Sequence, residues 1–293
     1  MSESSPLFSF GIITDIQYAN LETQGRLRFR EVPEKLRAAV EYWNRQSLAF
    51  VVQLGDIVHG NGAETYGEFQ LIASILERTD APCFHLIGNH CLSVRLEDLL
   101  RRFQMNEPYY AFSHKGFRFI ALYGMDISIE SDGEAREKAR EFLAQNPTMR
   151  EWCGALSETQ LTWLESEIRW AEMRGERIVF LCHFPVHWQT TDEGHGILWN
   201  YAEVQSLIFS SPNSAVWFNG HYHKGAETVE RGVHFISLEA LVEAPEGSNA
   251  FGIVKVYPDR LVLHGEGAMK SRMLCFSTPL ARLSLTPDAP PQQ

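Results

Sequence analysis

Short apolar runs alternate with segments of helical period along the first hundred residues. Residues 7–16 carry Phe8, Phe10, Ile12 and Ile13 and predict a buried strand. Residues 32–46 place Val32, Leu36, Val40 and Trp43 near a 3.6-residue period and predict a helix. A second strand follows at 50–58. A second helix at 65–77 has Phe69, Ile72 and Leu76 on one face. Residues 83–87 predict a third strand and 93–103 a third helix. This β-α-β-α-β order implies a largely parallel sheet covered by helices.

The pattern changes after Pro108. Residues 109–113 and 117–123 flank a Lys-Gly turn and predict a hairpin. Residues 157–174 predict a helix capped by Ser157, with Gln160 completing a capping box. Strands are expected at 177–184 and 215–219. Residues 226–265 read as further strands, with turns at Arg231-Gly232 and Pro258-Asp259. That second block of strands suggests another sheet packed on the first. Residues 286–293, with three prolines, predict a disordered tail. With no linker or repeat elsewhere, a single domain over residues 1–285 is expected.

Composition narrows the class. The 293 residues are 44% hydrophobic and 22% charged, as in an ordinary globular protein. No apolar run approaches the roughly 20 residues of a membrane-spanning helix. The net charge of −11 argues against a nucleic-acid partner. The N-terminus lacks the basic and apolar regions of a signal peptide. Cys83, Cys91, Cys153, Cys182 and Cys275 are odd in number, with no CxxC spacing, which suits reduced thiols in a cytoplasmic protein.

Five short polar segments each follow a predicted strand. They are Asp15-Ile16-Gln17, Gly55-Asp56, Gly88-Asn89-His90, His183 and Gly220-His221-Tyr222-His223. Ligands of parallel α/β sheets gather at the carboxyl ends of strands, so all five could meet at one site. Carboxylates, side-chain amides and imidazoles together suit Mn²⁺, Fe or Zn²⁺ better than Ca²⁺. Asp56 is the natural carboxylate to bridge a pair of ions. The glycines at 55, 88 and 220 allow backbone conformations that project the next residue into a cleft.

The ordered set resembles the calcineurin-like metallophosphoesterase superfamily, whose pattern is D-x-H, G-D-x-x-D/N, G-N-H-D/E, a lone His and G-H-x-H. It is more closely similar to the manganese-dependent ADP-ribose/CDP-alcohol diphosphatases, which have Gln at the position of the first His, as Gln17 does here. HFPVH (183–187), GILWNYAEVQSLI (196–208), GHYHKG (220–225), GVHFISLEALVEAPEGSNAFG (232–252) and YPDRLVLHGEG (257–267) extend the likeness. It runs from about Phe8 to about Gly267.

The resemblance implies a four-layer α/β/β/α sandwich, two mixed sheets flanked by helices. It implies two divalent ions. Asp15, Gln17, Asp56 and His223 would hold one, and Asp56, Asn89, His183 and His221 the other. A metal-bridging hydroxide would attack phosphorus in line, with His90 stabilising charge or protonating the leaving group. The amide oxygen of Gln17 is a hard donor and biases the first ion toward Mn²⁺ or Mg²⁺, with Fe or Zn²⁺ also compatible.

Two positions depart from the pattern. His59 stands where Asp or Asn is usual, and Cys91 where Asp or Glu is usual. His187, Tyr18, Trp199 and Asn200 are the expected substrate contacts, with Trp188 and Tyr201 nearby. His85, His114, His234 and His264 read as structural.

The implied reaction is hydrolysis of a phosphoanhydride in ADP-ribose or a CDP-alcohol such as CDP-choline. Alternatives on the same site are a cyclic-nucleotide phosphodiesterase, a phosphomonoesterase or a non-catalytic scaffold. The expected partner is a small nucleotide, not a nucleic acid or a membrane, and the oligomeric state is open.

Overall fold

The structure, a computed structural model, describes residues 5–277. The first three strands are β1 (Phe8–Ile13), β2 (Phe50–Gln53) and β3 (Cys83–His85). The helices α1 (Val32–Asn44), α2 (Thr65–Leu76) and α3 (Leu96–Phe103) lie between and after them. The chain continues through β4 (Tyr110–His114), β5 (Phe117–Leu122), α4 (Gly133–Gln145), α5 (Glu158–Arg174) and β6 (Arg177–Cys182). It then forms α6 (Tyr201–Ser210), β7 (Ser214–Asn219), β8 (Lys224–Glu230) and β9 (Val233–Glu239). β10 (Ala250–Val256), β11 (Arg260–Gly267) and β12 (Arg272–Cys275) complete it.

These strands make two mixed six-stranded sheets, β12-β11-β10-β1-β2-β3 and β4-β5-β6-β7-β9-β8. The alternation along β1 explains the layering. Phe8, Phe10 and Ile12 enter the core between the sheets with Phe50, Phe84, Phe112 and Phe119. Phe10 stacks on Phe50 at 5.0 Å, and Phe119 meets both rings edge-on. Ile13 and Val51 face the other way, toward Leu36, Val40 and Trp43 of α1. Gly11 leaves room for the Trp43 indole, whose Nε1 donates to the Gly252 carbonyl at 3.1 Å. α5 covers the second sheet at β5 and β6 and touches α6. Two mixed sheets flanked by helices are thus the architecture expected from sequence.

Several expectations need correction. The late strands do not form a sheet of their own. β8 and β9 extend the second sheet through the parallel β7–β9 pair, while β10 pairs antiparallel with the free edge of β1 and carries β11 and β12. Two helices lacked a clear apolar stripe: α4 buries only Ala139, and α6 only Val204 and Ile208. The third predicted helix is split, a single turn at His90–Ser93 preceding α3.

Ser157 caps α5 as expected, accepting from the Gln160 N–H at 3.2 Å. The reciprocal half of the capping box is absent. The buried Gln160 amide instead clamps the Tyr123 backbone, accepting its N–H at 2.9 Å and donating to its carbonyl at 3.0 Å. Asp126 takes the Ser157 N–H at 3.2 Å. No helix among the described residues is long and apolar enough to cross a membrane. The predicted tail at 286–293 lies outside the described residues.

Candidate metal centre

The site forms where the carboxyl ends of the two sheets meet. Asp15 and Gln17 follow β1, Asp56 follows β2, and Asn89 and His90 follow β3, three adjacent parallel strands. His183 follows β6, and His221 and His223 follow β7, a parallel pair in the second sheet. Backbone bonds lock these loops together. Asp15 N–H donates to Gly55 O at 3.2 Å and Gln17 N–H to Asp56 O at 2.8 Å. Within the second sheet, Gly220 N–H donates to His183 O at 3.1 Å, and across the sheets Leu241 N–H donates to Thr14 O at 3.2 Å.

The backbone is strained at this point. Among the described residues, eight non-glycine residues have positive φ, and five of them are Asp15, Gln17, Asp56, His221 and His223. Each such L-residue costs about 1–2 kcal/mol, and concentration of that strain in one cleft marks a functional site. The adjacent glycines serve different ends. Gly55 has φ +99° and is needed for its conformation. Gly88 and Gly220 do not have positive φ; there a Cβ would collide with Asp56 Oδ1, or with Thr14 Oγ1 and Asp15 Oδ2.

The donor atoms are aimed by their neighbours. Asp15 Oδ2 accepts the Thr14 hydroxyl at 2.7 Å and the His221 N–H at 3.0 Å. Its Oδ1 is buried without a hydrogen bond, 3.2 Å from His223 Nε2. Asp56 Oδ1 accepts the His90 N–H at 2.9 Å. Its Oδ2 accepts from Gln17 Nε2 at 3.3 Å and lies 3.2 Å from His183 Nε2. Gln17 Nε2 is also 3.1 Å from His223 Nε2.

Each imidazole spends one nitrogen on an acceptor outside the cluster: His183 Nδ1 donates to Leu54 O at 2.9 Å, His221 Nε2 to His195 O at 2.9 Å and His223 Nδ1 to Glu243 Oε1 at 3.1 Å. A donor at one nitrogen leaves a lone pair at the other, the arrangement that metal-binding histidines require.

These residues fit divalent ions. Ligand atoms of Asp15, Asp56 and His183 all lie within 4.8 Å of one another. Asn89 Oδ1 is buried with no partner, while Asp15 Oδ1 and His183 Nε2 make no hydrogen bond and have only ion-pair contacts at 3.2 Å, to His223 and Asp56, an arrangement that a bound cation would satisfy. In their own right the residues balance charge with protons. Burial opposes charge on His183, but Asp56 and Asp15 outweigh it and raise its pKa to about 8. Against the same burial penalty, Asp15 and Glu243 lift His223 to about 10. Burial would raise the Asp56 carboxyl, yet His183 and His90 hold it below its usual range. His221, desolvated and beside His183, falls to about 3 and stays neutral.

A cavity of about 420 Å³ opens over this cluster, lined by Gln17, Asp56, Asn89, His90, His221 and His223. A larger one of about 690 Å³, near Pro6 and Lys115, holds none of the predicted site residues. His90 donates from Nδ1 to the His59 carbonyl at 2.7 Å, and the two rings stack at 4.9 Å. His59 itself lines the cavity, and burial together with His90 lowers its pKa to about 4. The Cys91 thiol is buried and pushed up to about 12 by desolvation, so it supplies no negative charge.

None of the four expected substrate contacts lines this cavity. Asn200 spends its amide on Leu156, accepting its N–H at 3.1 Å and donating to its carbonyl at 3.0 Å. Trp199 is buried, stacks on Phe142 at 5.0 Å and donates to Arg150 O at 3.0 Å. His187 is occupied by Glu230 at 2.9 Å and by the Gln189 N–H at 3.2 Å. Tyr18 bonds its backbone to Ile57 O and packs against the core.

The cavity wall is made instead by Leu27, Trp152, His195 and Glu243. Glu243 lies in the quoted stretch GVHFISLEALVEAPEGSNAFG (232–252), but no motif covered Leu27, Trp152 or His195. The one available signal was an aromatic and a Gly-flanked His in segments without periodicity. His195, a histidine to which the sequence assigned no role at the site, is one of the wall residues.

The model of the calcineurin-like phosphoesterase family matches residues 8–225. A manganese-dependent ADP-ribose/CDP-alcohol diphosphatase of Oryza sativa subsp. japonica is 32% identical, over 94% of this chain and 96% of its own length. The Mus musculus protein of the same name is 30% identical, over 93% and 94%. The crystal structure of a dimetal phosphatase from Danio rerio superposes with a TM-score of 0.87 at 27% identity, covering 93% of this chain and 100% of that one.

Proposed function

The chain belongs to the calcineurin-like phosphoesterase family, and from that premise we propose that it is a two-metal phosphohydrolase cleaving the phosphoanhydride of ADP-ribose-like and CDP-alcohol-like substrates. The observation that carries this reading is the convergence of Asp15, Asp56 and His183, with Asp15 Oδ1, Asn89 Oδ1 and His183 Nε2 buried and without hydrogen bonds. The names of the relatives supply the substrate class and the preference for manganese.

Asp15, Gln17, Asp56 and His223 would hold one ion, and Asp56, Asn89, His183 and His221 the other. When bound, the two ions would acidify water to a nucleophile at neutral pH and neutralise phosphoryl charge. The protein's own residues do the rest. Thr14 and the His221 N–H fix Asp15 so that Oδ1 faces the site. Leu54, His195 and Glu243 set the tautomers of His183, His221 and His223. His90, with Nδ1 committed to His59 O, keeps Nε2 for the leaving oxygen. Trp152, held by its Nε1 on His195 O at 2.8 Å, offers an aromatic wall to a nucleobase. With its amide turned to present Oε1 where Nε2 now meets Asp56 and His223, Gln17 would favour a hard ion such as Mn²⁺.

Residues 1–285 are read as one catalytic unit, supported by the return of β10–β12 to the edge of β1. A cytoplasmic setting is supported by cysteines none of which forms a disulfide among the described residues. The test is a substrate panel. Protein stripped of metal and reloaded with Mn²⁺ is given ADP-ribose, CDP-choline, cyclic AMP and p-nitrophenyl phosphate. Turnover of the first two to nucleoside monophosphates is expected. Turnover confined to the cyclic or monoester substrate would overturn the reading.

A further inference from the structure

The long connection between β6 and α6, residues 183–200, places an imidazole over the site that the metal set does not use, that of His195. Asp192 Oδ1 accepts both the backbone N–H of His195, at 3.0 Å, and its ring Nδ1, at 2.7 Å. Asp192 Oδ2 accepts from Lys224 Nζ at 3.0 Å, so both carboxylate oxygens are engaged. Tyr222 meets the His195 ring edge-on at 5.1 Å and lies under Lys224 Nζ at 5.2 Å. The His195 carbonyl is fixed as well, accepting from His221 Nε2 at 2.9 Å and Trp152 Nε1 at 2.8 Å. The loop is therefore held at backbone, carboxylate and ring.

His195 lines the cavity with its ring centroid 6.3 Å from that of His223, and its Nε2 makes no hydrogen bond among the described residues. A carboxylate can only accept, so Nδ1 must carry a proton. In the neutral ring Nε2 then presents a lone pair. A lone pair fits a hydroxyl donor and repels a phosphoryl oxygen.

We propose that His195 is a substrate-contacting residue that accepts a hydrogen bond from a ribose hydroxyl of the bound nucleotide, with Asp192 as its positioning residue. This rests on the reading of the site as a nucleotide diphosphatase. It adds a specificity element, a preference for ribonucleotides over deoxyribonucleotides, that the metal ligands cannot provide.

Substitution of the ring leaves the carbonyl that holds His221 in place, so the two roles of the residue separate. The experiment is calorimetric binding of AMP, 2′-deoxy-AMP and 3′-deoxy-AMP to the Mn²⁺-loaded protein and to its His195→Ala, Asp192→Ala and double variants. AMP should bind the His195→Ala variant about tenfold more weakly. At least one deoxy form should bind wild type and variant equally. Asp192→Ala should weaken AMP binding less, and add nothing in the His195→Ala background. Mn²⁺ content should not change.

An equal loss for all three nucleotides would overturn the proposal in favour of a phosphate contact. Unchanged AMP binding in His195→Ala would overturn it outright. A binding readout does not depend on turnover. ADP-ribose hydrolysis by the same wild-type sample reports separately on the proposed function.

Discussion

His90 donates from Nδ1 to the main-chain carbonyl of His59 at 2.7 Å. The two departures from the family motif thus bear on one residue. The carboxylate that usually follows the His is replaced by Cys91, a buried neutral thiol. The main-chain carbonyl at position 59, which any residue there would supply, orients the imidazole, and the His59 ring stacks on it at 4.9 Å. Removing the His90 side chain should then lower kcat by about 10²–10⁴-fold, the usual range for a general acid. Bound Mn²⁺ should be unchanged by mass spectrometry. His59→Ala retains the carbonyl and Cys91→Ala removes no charge, so each should cost much less than His90→Ala in the same assay.

Close packing around Asp15 predicts the effect of a single methyl group. In Gly220→Ala the new Cβ would collide with Thr14 Oγ1 and Asp15 Oδ2, displacing the carboxylate. Mn²⁺ binding by calorimetry should fall by more than tenfold. Gly67→Ala, in α2 with no atom within 4 Å of its Cβ, is the matched control. It should bind Mn²⁺ normally and gain up to about 1 kcal/mol of stability.

The site histidines set a pH dependence with two signs. In the metal-free protein His183 and His223 are raised to about 8 and about 10. Their stabilisation is complete below the unfolded value of about 6.5 and is lost as pH rises through the folded values. His221 and His85, both lowered to about 3 by burial, contribute stability above about 6.5 that is lost as pH falls. The thermal midpoint in EDTA should therefore peak near neutrality and fall on both sides. Metal must displace the protons on His183 and His223, so the midpoint gain from Mn²⁺ should grow between about pH 6 and pH 8. A gain that shrinks over that range would contradict the assigned ligands.

Asn200 carries a structural prediction. Both ends of its amide are tied to the Leu156 backbone. Asn200→Ala should cost about 1–3 kcal/mol in urea unfolding. The KM for ADP-ribose should stay within about twofold; a larger rise would restore Asn200 as a substrate contact.

The proposed ligands were legible in sequence for a physical reason. Each is a polar residue next to a strand end, several follow a glycine, and the strands concerned are parallel neighbours. Asp15, Gln17 and Asp56 could be placed together from that alone. Trp152, His195 and Glu243 could not, because they come from loops without periodicity and reach the cavity only through tertiary packing. His187 and Asn200 illustrate the converse. They lie beside informative motifs, yet Glu230 and Leu156 consume their hydrogen-bonding groups. The split of the late strands between two sheets was also hidden, since the apolar character of β9 and β10 does not say which edge each strand will find.

The most direct measurement is hydrolysis of ADP-ribose with Mn²⁺ in ¹⁸O-labelled water, with products resolved by mass spectrometry. AMP and ribose 5-phosphate should form together, with one ¹⁸O per turnover in a phosphate group of one of them. Label on a ribose carbon, release of ADP, or absence of turnover would contradict attack at phosphorus in this site.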